Sequence, residues 1–205
     1  CDVFSATDSS HMPILKEADR VSKYEVENFK DMLPQFAAAS VPGYYYTTVA
    51  SRYFMIYNNQ KVAAADAPKA WTDLLNPKWK GRVAFGHPAF SGCTGALVVA
   101  LRKLYGWEYF EKLAKNNPKI GRSAADPVTL IVASECLVGP ASAGGAYPSI
   151  DRGNPLTIVH PSDGLSVCVA PSTIPANAPH PNAARLFMEW MLSASFSKRM
   201  VGDGS

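Results

Sequence analysis

The chain has 205 residues, enough for one large or two modest domains, and 47% of them are hydrophobic against 18% charged, the balance of an ordinary globular protein. Its net charge of +3 is small and dispersed, with no block of Lys and Arg, so no nucleic-acid partner is expected. No apolar run reaches the ~18 residues of a membrane span, and no basic, apolar leader opens the chain, so no uncleaved signal peptide is expected.

In chain order, CDVFSATD predicts a strand over Cys1–Phe4 and a polar turn, Ser5 to Ser10, before a short helix from about Met12 to Ala18. Residues 22–42 read as loop with a little helix, punctuated by Pro34, Pro42 and Gly43. The aromatic and β-branched run Tyr44 to Tyr57 predicts one long bent strand or two consecutive ones. Pro68 opens a helix carrying Trp71, Leu74 and Leu75, and Pro77 closes it. A strand is expected over Arg82–Gly86, a helix through Ala96–Tyr105, and a second helix over Trp107–Lys115. Asp126-Pro127 starts a helix reaching about Ser134, and Cys136–Val138 is the next strand. Residues 141–155, with Gly144, Gly145 and Pro148, read as loop. Strands follow at Leu156–Val159 and Leu165–Ala170, then a helix from Pro181 with the apolar stripe Ala183, Leu186, Phe187, Trp190 and Met191. The start in mid-strand and the stop after FSKRMVGDGS read as a central fragment of a longer protein.

Strands alternating with helices predict βαβ units and a mainly parallel sheet, whose ligands sit at the carboxyl ends of strands against helix N-termini. FSGCTG, residues 90–95, stands at such a place. Ser91, Gly92, Cys93 and Thr94 offer backbone N–H groups and two hydroxyls with little bulk, the chemistry of an anion seat or of a plain helix cap. Cys1, Cys93, Cys136 and Cys168 lack CxxC spacing and His partners, so no zinc site is expected. Four buried thiols are the plain arrangement, and one disulfide such as Cys136–Cys168 stays open in an oxidising compartment.

WTDLLNPKWKGRVAF (Trp71 to Phe85) resembles the segment after the interlobe crossing in extracellular solute-binding proteins of ABC importers, in the group that contains the ferric-ion-binding proteins. CDVFSATDSS, the strand Tyr53 to Asn58, the turn Pro88 to Gly92 and the closing NAPHPNAARLFMEWMLS match the same group in the same order. The resemblance implies an α/β, periplasmic-binding-protein-like fold: two lobes with mainly parallel sheets flanked by helices, joined by hinge strands near 47–57 and 156–165. Residues 1–52 and 162–205 would form part of lobe one and 53–161 lobe two, both lobes incomplete for want of an opening βαβ segment and a C-terminal helical stretch. It further implies a periplasmic location, an inner-membrane ABC permease as partner, and sheet edges open to self-association.

Ferric-binding relatives place two adjacent tyrosines after the strand that here reads Glu135 to Gly139. This chain has Ala143-Gly144-Gly145-Ala146 there, with one Tyr147 beyond, so no metal ligands are assigned. Tyr44, Tyr45 and Tyr46 lie on a strand and alternate faces, so they cannot converge on one metal. The expected solute is a small anion of carboxylate or phosphonate type, bound without cofactor or catalysis in the interlobe cleft. Ser91, Gly92, Cys93 and Thr94 would seat it, with Arg122 and Ser123 ahead of the Asp126 helix, Asp8, Ser9 and Ser10 as the facing wall, and Tyr147 at the rim. Asp8 suits an amino group or simply forms a turn, and Arg122 suits a carboxylate or simply the surface. A helix terminus contributes up to ~2 kcal/mol and each charge-assisted hydrogen bond ~1.5–3 kcal/mol, against the ~8 kcal/mol of micromolar binding. Two alternatives stand beside this: ferric iron in the same family, and a hydrolase using Ser9 and His11. The second meets residues too close on one turn for a triad and no G-x-S-x-G elbow.

Overall fold

The computed structural model describes residues 1–201; positions 202–205, the end of the FSKRMVGDGS terminus, lie outside the described residues. In chain order the elements are β1 (Phe4–Ser5), α1 (His11–Glu17), α2 (Pro34–Ala37), β2 (Tyr45–Asn58), β3 (Ala84–Gly86), α3 (Gly92–Tyr105), α4 (Glu108–Lys115), β4 (Lys119–Gly121), α5 (Asp126–Val132), β5 (Val138–Ser142), α6 (Ala143–Asp151), β6 (Leu156–Val159), β7 (Ser166–Thr173), α7 (Pro181–Met191) and α8 (Ala194–Val201). They form two compact units, one of residues 1–50 with 169–205 and one of residues 51–168.

The 51–168 unit is built on the buried second half of β2. Successive side chains of a strand face opposite ways, so Tyr53-Phe54-Met55-Ile56-Tyr57 feeds two cores. Tyr53, Met55 and Tyr57 pack with Trp71, Leu97, Leu101 and Tyr109, while Phe54 and Ile56 pack with Val128, Ile131 and Ala146. β2 runs antiparallel to β5 (Tyr53 opposite Ser142, Tyr57 opposite Val138) and to β6 (Met55 opposite Val159). β3 pairs in parallel with β4 and reaches β5 through a parallel bridge between Val83 and Val138.

In the other unit β1 is antiparallel to β7, which lies between β1 and β2 in the strand order. Its core gathers Val26, Tyr46, Ile174, Ala184, Met188 and Met191. The Tyr46 phenol ties down the irregular stretch before it, accepting the amides of Gly43 (2.7 Å) and Val26 (3.1 Å) and donating to the Tyr24 carbonyl (2.9 Å).

The expectation of mainly parallel pairing is corrected here. β3 and β4 follow it, but every pairing of β2 with β5 and β6, and that of β1 with β7, is antiparallel. The reason is β2 itself: it enters the unit against the direction of the strands it pairs with, without a βαβ crossover. The helix expected from Pro68 is two successive 3-10 turns, Trp71–Leu75 and Pro77–Trp79. Asp73 accepts the amides of Lys69 (2.7 Å) and Ala70 (3.0 Å), Asn76 caps Lys78 (3.0 Å), and Asn116 Nδ2 bridges the Leu74 and Asn76 carbonyls. α7 turns a different face inward than its stripe suggested: Ala184, Met188 and Met191 are buried, whereas Leu186 is 73% and Phe187 45% exposed.

Candidate functional site

β3 and β4 run side by side and end together at Gly86 and Gly121. The chain leaves them through two adjacent turns, 87–91 into α3 and 122–125 into α5. The His87 amide donates to the Gly121 carbonyl (2.9 Å) and joins the turns. Both strand ends are tight against a neighbouring side chain. A Cβ on Gly86 would stand 2.9 Å from Thr94 Oγ1, and one on Gly121 would overlap the Asp126 side chain.

α3 begins as the residue types dictate. The Ser91 hydroxyl accepts the Thr94 amide (3.2 Å) and the Ser91 carbonyl accepts that of Gly95 (2.9 Å), so Ser91 is an N-cap and the Gly92 amide stands at the open end of the turn. Thr94 is 1% exposed, its hydroxyl 3.5 Å from that of Tyr53 and against Gly86, which commits it to the interior. The Cys93 sulfur is bonded to Cys168, so its thiol is not available to a ligand. The Cys136–Cys168 pairing is thereby corrected: Cys136 is a free thiol buried in the 51–168 core and Cys1 an exposed one. Cysteine spacing carries no pairing code, and the register of α3 against β7 decides it.

Arg122 is exposed, its guanidinium 5.3 Å from the centre of the Phe90 ring, which is 59% exposed and 5.0 Å from that of His87. The Ser123 hydroxyl and amide are both committed to the Asp126 carboxylate, which accepts them at 2.7 and 3.0 Å. The Ser123 hydroxyl, and then the amide, hold the Asp126 carboxyl below its ordinary range. Ser91, Gly92 and Arg122 thus share the corner where β3 and β4 end. His87 and Phe90 share it too and were not singled out by sequence; an aromatic beside a small-residue turn was the available signal. Tyr147 stands on α6 with its ring edge-on to Phe54, 5.8 Å away.

In the other unit, Asp8, Ser9 and Ser10 form the turn between β1 and α1. Asp8 Oδ1 accepts the Ser10 amide (2.8 Å) and hydroxyl, and the Ser10 hydroxyl foremost holds the Asp8 carboxyl low. The hydroxyl beside His11 Nδ1 (3.3 Å) is that of Ser10, not Ser9, and it is committed to Asp8; the Ser9–His11 hydrolase pair is not formed. Among the described residues no cluster of three or more His, Cys, Asp or Glu side chains is placed to hold a metal ion.

A family model described as bacterial extracellular solute-binding protein matches residues 1–204. The chain belongs to that family. The family is one of binding proteins, not enzymes. An uncharacterized protein of Haemophilus influenzae is 24% identical over 86% of this chain and 54% of its own length. Among solved structures, the periplasmic binding protein AfuA from Actinobacillus pleuropneumoniae, with fructose-6-phosphate bound, superposes with a TM-score of 0.79 at 23% identity over 94% of this chain and 63% of its own. Iron-bound HitA from Pseudomonas aeruginosa gives 0.77 at 22% identity, over 95% of this chain and 65% of its own. A substrate-binding protein of an ABC transporter from Agrobacterium tumefaciens gives 0.85 at 13% identity, over 98% of this chain and 62% of its own. The α/β periplasmic-binding-protein-like fold is therefore shown. The chain spans about half the length of the curated relative and less than two thirds of the AfuA structure.

Proposed function

We propose that this chain is part of the solute-binding component of an ABC importer, located in the periplasm, that captures a small anionic solute and hands it to a membrane permease. Family membership supports the class of activity. The anionic character rests on one observation: where the parallel strands β3 and β4 end, the Arg122 guanidinium lies 5.3 Å from the ring of Phe90, the residue just ahead of the α3 N-cap Ser91. Main-chain N–H groups at a helix start and a guanidinium both favour a carboxylate or phosphate oxygen. The exposed Phe90 ring gives the apolar part of such a solute a surface. The Cys93–Cys168 disulfide suits an oxidising compartment such as the periplasm. The two units are taken as counterparts of the family's two lobes.

The test is a thermal-shift screen with inorganic phosphate, hexose phosphates, phosphonates, carboxylates and amino acids, since a ligand of the folded state alone raises its melting temperature. At least one anion is expected to stabilise the protein in a dose-dependent way, and R122A to weaken that anion's binding at least tenfold without lowering the unliganded melting temperature. Indifference of the protein to every anion, or of the bound anion to R122A, overturns the reading. Ferric iron belongs in the same screen because HitA holds it; a visible phenolate-to-iron band on loading would favour iron instead.

A further inference from the structure

We infer that the Cys93–Cys168 disulfide is a positioning clamp for the first turn of α3, so that a dithiol reductant loosens the turn and weakens solute capture. This rests on the proposed reading of that turn as the solute seat. Cys93 is the second residue of α3, between Gly92, whose amide stands at the open end, and Thr94, whose side chain is buried against Gly86. The bonds from Ser91 to Thr94 and Gly95 are local to the turn, so beyond the buried Thr94 side chain the turn needs a fixed point elsewhere in the unit. Cys168 supplies such a fixed point. It is 2% exposed, lies in β7, and is the residue at which the chain passes from one compact unit to the other. The clamp therefore joins the proposed seat covalently to a crossing strand.

The asymmetry of burial sets the course of reduction. Cys93 is half-buried and Cys168 buried, so an incoming thiolate meets the Cys93 sulfur. The dithiol's first thiolate bonds to Cys93 Sγ as the Cys93–Cys168 bond breaks, and Cys168 leaves as thiolate and takes up a proton. The dithiol's second thiolate then displaces Cys93, which takes up the other proton. Two electrons pass from the dithiol, which closes to its own disulfide, to the two cysteines. Cys136 does not divert the exchange: it is fully buried, and burial pushes its thiol up, away from the reactive thiolate.

The experiment measures 15N order parameters and inorganic-phosphate affinity on oxidised protein, dithiothreitol-reduced protein and a C93S/C168S variant, all carrying C1S to remove the exposed thiol. On opening the disulfide, Gly92–Ala96 amides are expected to fall from about 0.85 to below about 0.6 while α4 stays rigid, and phosphate affinity to drop at least tenfold. Unchanged order parameters at Gly92–Ala96, or an equal loss in α4, overturn the clamp whatever happens to phosphate. Loosened amides with no phosphate binding in any form support the clamp and count against the anion seat itself.

Discussion

Asp163 accepts the Trp71 amide through both carboxylate oxygens, at 2.8 and 3.1 Å, and one of those oxygens also takes the Tyr105 phenol at 2.5 Å. The indole N–H of Trp71 donates to the Gly164 carbonyl (2.9 Å), and the Tyr109 phenol to the Trp71 carbonyl (2.8 Å). The loop ahead of β7 is thereby locked to the WTDLL turn, and Trp71 is held 1% exposed. Removing the carboxylate strands a buried amide and a phenol. D163A is expected to cost about 2–4 kcal/mol, read as a lower urea midpoint at unchanged slope. A loss below about 0.5 kcal/mol would mean that other contacts hold this loop.

The same phenol predicts behaviour in alkali. Burial first, and the hydrogen bond to Asp163 second, push Tyr105 up to about 12; burial and Glu189 do the same to Tyr24. The folded state therefore keeps protons that the unfolded chain gives up near the ordinary phenol value of ~10. These groups' contribution is intact below pH ~10 and is lost as pH rises from ~10 to ~12. A Y24F/Y105F variant is expected to lose stability less steeply across that window than the parent, in urea titrations at fixed pH. Equal slopes would show that the two phenols do not hold their protons in the folded state.

Much of this architecture was legible in residue patterns, and the exceptions share a cause. α3 ends at Tyr105 before Gly106, and β6 spans Leu156–Val159, as spacing and breakers indicate. α6 was illegible because Gly144, Gly145 and Pro148 are locally helix breakers. Pro148 forfeits only the bond to the Gly144 carbonyl, and burial of Ala146 and Ser149 outweighs it. β4 was missed because Lys119 and Ile120 are exposed and carry no strand pattern; pairing with β3 makes them a strand. At the candidate site, FSGCTG marked the turn into α3, but a cap and an anion seat use the same chemistry. Sequence therefore could not say that Ser91 caps Thr94 or that Thr94 faces inward. The disulfide depends on how α3 lies against β7, which no local pattern encodes.

The approach of Gly86 to Thr94 yields a sharper test of packing at the start of α3. A Cβ at position 86 would meet Thr94 Oγ1 at 2.9 Å and Thr94 Cγ2 at 3.4 Å, with the Ser123 carbonyl oxygen also at 3.4 Å. G86A is expected to destabilise by about 1–3 kcal/mol, since α3 must shift to admit a methyl group. T94A removes both side-chain obstacles, so G86A should cost at least ~1 kcal/mol less in that background, a coupling that a double-mutant cycle in urea measures. Strict additivity would mean that the clash is relieved elsewhere, through the turn 122–125.

The disulfide closes a loop of 75 residues in sequence separation, lying wholly within the 51–168 unit. Its effect on the unfolded ensemble is thus confined to that unit. A loop of this length removes chain entropy worth about 4 kcal/mol on the usual model, and measured values for native disulfides fall at about 2–5 kcal/mol. Trp71, Trp79 and Trp107 all belong to this unit, whereas Trp190 belongs to the other. In a W190F background, tryptophan fluorescence therefore follows the disulfide-bearing unit alone. Dithiothreitol is expected to lower its urea midpoint by the equivalent of about 2–5 kcal/mol. It should also steepen the transition, because the reduced unfolded chain exposes more surface. Equal midpoints for the oxidised and reduced W190F protein would show that the reduced chain's unfolded state is already as restricted as the cross-linked one.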